Sequence, residues 1–186
     1  MVISPGMPPL RTPFRLSRPL VAAASGGPAP VELGPLPSMA LKAGVAVAQL
    51  GPWRCAAIGL ALGLLGSLIA VDAPGAATAP LVLAGLGGWM GYDARQSVKA
   101  FQAGPDSELW RKRSQDHSGV TPARMGANTL NSMASMAGGL TGLLLTGDVV
   151  GGTLCSAVAF FLTHRPLERA GAAAERALVE RYYPQA

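Results

Sequence analysis

The chain has 186 residues, 49% of them hydrophobic and 13% charged, with 15 Lys and Arg against 10 Asp and Glu, a net charge of +5. Two cysteines and two histidines exclude a disulfide framework and a multi-ligand metal centre, and no Walker, dinucleotide or nucleophile-elbow pattern is present. The positive balance comes with few aromatics and no recognition motif, so a nucleic-acid partner is not expected.

Residues 1–37 hold nine of the 16 prolines, carry Arg11, Arg15 and Arg18, and have no acid before Glu32. Nothing there repeats with a helical or strand period, so the segment reads as an extended arm or as an acid-poor, transit-like leader. The next segment, 38–51, reads as a short helix capped by Ser38 and stopped at Gly51-Pro52, lying in a membrane interface ahead of the first apolar stretch.

Two long tracts then dominate the chain. Between Arg54 and Asp93 the only charge is Asp72, and between Arg124 and Arg165 the only one is Asp148. Each tract is near 40 residues, and one helix of that length would reach about 60 Å at ~1.5 Å per residue. A hydrocarbon core is ~30 Å thick and takes ~20 residues. Each tract therefore reads as two spans joined by a turn: hairpin 1 over 53–94 and hairpin 2 over 125–164. The turns fall at Asp72, among Pro74, Gly75 and Pro80, and at Gly147-Asp148. There Gly suits a helix C-terminus, and Asp suits the N-cap of the next helix. A soluble bundle of buried helices is the competing reading of such runs.

Charge sorting favours the membrane. In the two-hairpin arrangement every Lys and Arg falls on one side, and only Asp72 and Asp148 occupy the tips, as expected when cationic loops stay on the side of insertion. Trp53, Trp89 and Trp110 are expected as interface anchors near that basic side, with Asp93 and Arg95 beside them. The spans are rich in small residues. Gly59 and Gly63, Gly87 and Gly91, Gly138 and Gly142, and Gly147 and Gly151 are each four apart, a spacing that lets two helix backbones approach closely.

The remaining segments read as a solvated basic-side loop over 95–124, with one helical turn at Ser107–Arg113, and an amphipathic helix over 165–186. In the latter, Leu167, Ala174, Leu178 and Tyr182 oppose three Glu-Arg neighbours. The expected fold is all-α: an integral membrane protein of about four transmembrane helices in two Gly-faced hairpins. His164, at the basic end of the last span, is the one candidate ligand for a chlorophyll or haem metal, with carotenoid and bound lipid as further expected companions. No acid, base or nucleophile set is legible, so no enzymatic role is expected.

These features imply a structural subunit or assembly factor, packed among membrane lipids against the core and antenna subunits of a larger complex. The acid-poor leader and Ala/Gly-rich spans suit an algal photosystem supercomplex in the chloroplast thylakoid, termini on the stromal side. A mitochondrial inner-membrane respiratory complex is the rival. A Gly-zippered transporter or translocase component is the alternative, since two hairpins each tipped by one Asp form a crude internal repeat.

Overall fold

The structure is a computed structural model, and it describes residues 33–69, 77–115 and 119–185. The expected turn at Asp72 and the Pro-rich residues 1–32 lie outside them. Among the described residues the fold is all-helical. Five helices follow in order: α1 (Pro35–Ile69), α2 (Ala79–Ala103), α3 (Glu108–Gln115), α4 (Pro122–Thr146) and α5 (Val149–Tyr182). α1 and α2 pair as one antiparallel hairpin and α4 and α5 as another, and the two are joined where α1 crosses α4 and α5.

α1 has two arms. At Gly51 the backbone takes φ 72° and ψ 179°, and Pro52 follows. Proline lacks the N–H that would have bonded the carbonyl four residues back, here that of Ala48. Arg95 Nε, from α2, donates to that carbonyl at 3.0 Å, and the Cys55 thiol reaches the neighbouring Val47 carbonyl at 3.7 Å. The bend is thus held by side chains.

The arm before the bend, covering the 38–51 segment, carries Ala40, Leu41, Gly44, Val45, Val47 and Ala48, all buried. It forms the floor of a compact base. A Cβ on Gly44 would collide with the Pro122 carbonyl, and one on Gly126 with the Ala40 carbonyl. On the other side of α4, a Cβ on Gly171 of α5 would sit 3.0 Å from Ala127 Cβ and 3.1 Å from the Ala123 carbonyl. Three helices meet through small residues at this crossing, and Leu41, Val98, Met125, Ala174 and Leu178 fill the core around it. The apolar stripe expected in the C-terminal segment is the face that docks here. Leu167, Ala174 and Leu178 are buried, and Tyr182 packs at the edge.

Several boundaries differ from expectation. α1 starts at Pro35, so Ser38 lies within its first turn rather than capping it. The 95–124 segment is no continuous loop: α2 runs on to Ala103, and α4 already starts at Pro122. Ala94, Val98 and Phe101 keep the helical period and face the base core, and nothing breaks α2 until Gly104-Pro105, where Gly104 takes φ 81°. α5 likewise continues through Pro166 as one helix.

Beyond the base, the hairpin arms are inverted in polarity. Among the described residues, apart from Leu36 and Met39, every exposed large hydrophobic side chain lies between Trp53 and Tyr92 or between Met133 and Leu162. From Cys55 to Gly91 of the first hairpin, the buried described residues are Cys55, Gly59, Gly63, Pro80 and Gly91; in the second, from Asn128 to His164, they are Asn131, Gly142 and Gly152. α1 alone among the described helices is long and apolar enough to cross a membrane by length and composition.

Candidate functional site

Glycine positions set the pairing within each hairpin. In the first, Gly59 abuts the Leu83 carbonyl, Gly63 abuts Pro80, Gly87 abuts the Cys55 carbonyl and Gly91 abuts Gly51 and Pro52. In the second, Gly138 faces Cys155 and Ala159, and Gly142 faces Gly151 and Cys155, while Gly151 itself lies on Thr146. Gly147 does not belong with these. Nothing lies within 4 Å of a Cβ built on it. It ends α4 with φ 70°, donating its N–H to the Leu143 carbonyl at 2.9 Å. Asp148 Oδ1 then accepts from the Gly151 N–H at 2.7 Å and caps α5. Gly147 is a turn residue because its left-handed backbone puts it at the tip, away from the partner helix.

The charges that the arms lack are gathered in the base, and several are buried. Asp93 is 6% exposed and Arg113, on α3, 7%. Arg113 Nη1 donates to Asp93 Oδ1 at 2.5 Å, Nη2 to the Asp93 carbonyl at 3.1 Å and also to Ser97 Oγ, and Nε to the Gly119 carbonyl at 3.3 Å. Ser97 Oγ donates to the same Gly119 carbonyl at 3.1 Å. One guanidinium thereby fastens α3, the 119–121 strand of chain and α2. Expected as an interface residue, Asp93 is instead half of a buried ion pair. Its second oxygen, Oδ2, has no hydrogen-bond partner among the described residues.

A second set holds the start of α4. Glu175 Oε2 on α5 accepts from the Thr121 N–H at 3.2 Å and from its hydroxyl at 3.3 Å. Thr121 Oγ1 accepts from Ala123 N–H at 3.4 Å as the N-cap. Arg124 Nε lies 3.2 Å from Glu175 Oε1, a charge contact without hydrogen-bond alignment. Gly119, at φ 70°, makes room for this carboxylate, which a Cβ there would strike.

The tryptophans divide. Trp53 is 87% exposed and Trp89 half-exposed, both on the arms near the base. Trp110 is 7% exposed and is not an interface anchor. It stacks on Phe101 at 6.2 Å and meets Tyr183 edge-on at 5.1 Å, inside an aromatic cluster that ties α2, α3 and the end of α5 together. Ser107 causes this placement. Its hydroxyl accepts from the Trp110 N–H at 3.1 Å, starting α3 so that the indole turns inward. Tyr183 completes the cluster, donating its phenol to the Phe101 carbonyl at 2.5 Å, and burial pushes its pKa above the ordinary value of 10.0.

Where the second hairpin meets the base, a cleft of about 310 Å³ opens between α4 and α5, lined by Arg124, Ala127, Asn128, His164 and Glu168. The His164 ring lies flat against Phe160, with centroids 5.3 Å apart and planes at 13°. Its Nδ1 is 3.5 Å from Asn131 Nδ2, and Asn131 Oδ1 accepts from the Thr163 hydroxyl at 2.5 Å. Nε2 is 3.8 Å from Glu168 Oε2. Among the described residues no group of three His, Cys, Asp or Glu side chains gathers to hold a metal ion. Of these residues only His164 is legible as a candidate ligand from the sequence, because helical spacing within α5 shows nothing of what α4 brings alongside.

Comparison with known proteins finds no matching family model, no similar curated protein and no similar solved structure.

Proposed function

We propose that this chain is a four-span membrane protein whose two hairpins cross the bilayer, clamped on one side by the base, and that it acts by packing, as a non-catalytic subunit of a larger membrane assembly. The observation that carries this reading is the inverted polarity. Large apolar side chains point outward along both hairpins, while the Asp93–Arg113 ion pair and the Glu175 carboxylate are buried in the base. In water such an extended apolar surface would drive association, whereas a bilayer covers it without cost.

By rise, the arm of α1 after Pro52 and the stretch of α5 from Val149 to His164 would each span roughly 25 Å, α2 up to Tyr92 roughly 20 Å and α4 roughly 37 Å at ~1.5 Å per residue, against a core ~30 Å thick. The arms other than α1 are poorer in Leu and Ile because Gly, Ala and Ser occupy their pairing faces. Lipid is as apolar as Leu, so close backbone contact is what can hold such helices together. The described Lys and Arg all sit at the base end of these arms or beyond, which would keep the base on the side of insertion.

Action by packing is supported by what the arms offer outward: methyl groups and rings, with few polar atoms. The glycine faces are consumed within each hairpin. The outward faces, Leu144 and Leu145 or Phe161 and Leu162 for example, remain for lipid or for other helices. Within this class a thylakoid photosystem assembly comes first and a respiratory complex second, on leader and span composition alone.

Two experiments test it. Single cysteines at Asp148 and at Lys112, in a chain whose Cys55 and Cys155 are replaced by Ser, should be labelled from opposite sides of sealed vesicles; labelling from one side rejects the spans. Native extraction in mild detergent should carry the chain in a particle far larger than itself, whose absorbance separates a pigmented from a haem-bearing assembly. Migration as a small free oligomer would favour the transporter reading instead.

A further inference from the structure

The α4–α5 cleft pairs opposite charges at the edge of an apolar surface, and this combination has a specific chemical complement. Arg124 meets Glu175 through Nε and also lines the cleft. Asn128 stands one helical turn further along α4 and adds an amide. Across from them Glu168 is largely exposed and lies 3.8 Å from His164, an ion pair only when the ring is protonated. Immediately beyond His164, toward the tip of the hairpin, Phe161 and Leu162 stand 74% and 71% exposed. The α4 wall of the cleft thus offers donors to an anion, the α5 wall a carboxylate to a cation, and the α5 wall continues as bare hydrocarbon.

We propose that this cleft binds a phospholipid whose headgroup carries both a phosphate and a primary ammonium. Arg124 and Asn128 take the phosphate, Glu168 takes the ammonium, and His164 donates between them. The acyl chains lie along Phe160, Phe161 and Leu162. A guanidinium and an amide supply charge-assisted and neutral donors to phosphate oxygens. A free carboxylate would repel a purely anionic headgroup, so Glu168 selects against phosphatidylglycerol. A primary ammonium has three donors for that carboxylate, which a trimethylated amine lacks. This inference rests on the membrane reading above.

The test uses the full chain in detergent micelles doped with phosphatidylethanolamine, phosphatidylcholine or phosphatidylglycerol, read by native mass spectrometry and by thermal melting. The ethanolamine lipid should be retained preferentially and should raise the melting temperature most. Glu168→Gln should erase its advantage over phosphatidylcholine by about tenfold in retention, as loss of one charge-assisted contact implies. Asn128→Leu should weaken all phosphate-bearing lipids together. Arg124→Gln is avoided because it also strips Glu175 of its partner. Equal retention of the ethanolamine and choline lipids, or an E168Q protein with an unchanged preference, would overturn the proposal. Stabilisation by soluble phosphoethanolamine, with no discrimination among lipids, would overturn the assignment to a lipid. A chain that stays in solution without detergent sinks the membrane reading itself, whereas a detergent-requiring chain indifferent to headgroup sinks only this inference.

Discussion

Arg95 Nε donates, at 3.0 Å, to the carbonyl of Ala48, the acceptor that position 52 would serve if it were not proline. One residue of α2 therefore repairs a bond that α1 loses at its own bend. Replacing Arg95 by Gln should leave that carbonyl without its donor and cost about 1–3 kcal/mol, the penalty of an unsatisfied polar group. In a double-mutant cycle with Pro52→Ala, which returns a backbone donor, the two losses should be non-additive. Additivity, measured by chemical unfolding in detergent, would mean that Arg95 does not serve the bend.

Arg113 should be the most sensitive position in the base. Arg113→Met leaves the Asp93 carboxylate buried and alone, and breaking such a pair by removing one partner costs about 3–5 kcal/mol. The double variant Asp93→Leu with Arg113→Met should recover much of that loss, since an apolar pair carries no unpaired charge. Melting curves of the wild-type, single and double variants decide it. A single variant as stable as wild type would show that the pair is not closed in solution.

Gly44 and Gly126 should tolerate no side chain. At both, an added Cβ meets backbone carbonyls, which cannot rotate away, so Gly126→Ala should cost at least the ~1–3 kcal/mol typical of overpacking. Gly66 and Gly85, with nothing within 4 Å, are the controls. Alanine there should be neutral or slightly stabilising, because it favours helix. Equal effects at all four would refute the crossing.

Tyr183 sets a ceiling on alkaline stability. Its folded pKa is raised by burial, so above pH 10 the unfolded chain loses its phenolic proton first. Stability is full below the ordinary pKa and falls as pH rises through the folded one. Tyr183→Phe should flatten this alkaline decline while lowering stability at neutral pH by about 0.5–1.5 kcal/mol for the lost hydrogen bond. Unfolding midpoints at pH 8 and pH 11 compare the two.

How much of this was legible depends on the range over which each signal acts. The glycine spacing in the tracts is local, and the helix pairs at Gly59, Gly63, Gly87 and Gly91 coincide with it. The Gly147-Asp148 turn was legible for the same reason, as αL geometry and capping are properties of neighbouring residues. What failed to show was long-range. Trp110 reads as an exposed interface residue in a polar loop, and only the arrival of Phe101 and Tyr183 from other helices buries it. Gly44 and Gly126 are 82 residues apart, so no spacing rule pairs them. The cleft around His164 is of this kind too, assembled from α4 and α5.

The base is sewn from the extremes of the described chain, with the first arm of α1 against the last turns of α5. During synthesis its earliest strip must wait for its latest before it has anything to close upon. Each hairpin, by contrast, is complete within about 40 residues of chain. The clasp can therefore close only once the last turns of α5 have been made, whereas the partners within each hairpin are available earlier. Deleting residues 167–182 should accordingly yield hairpins that still form but no longer stay together.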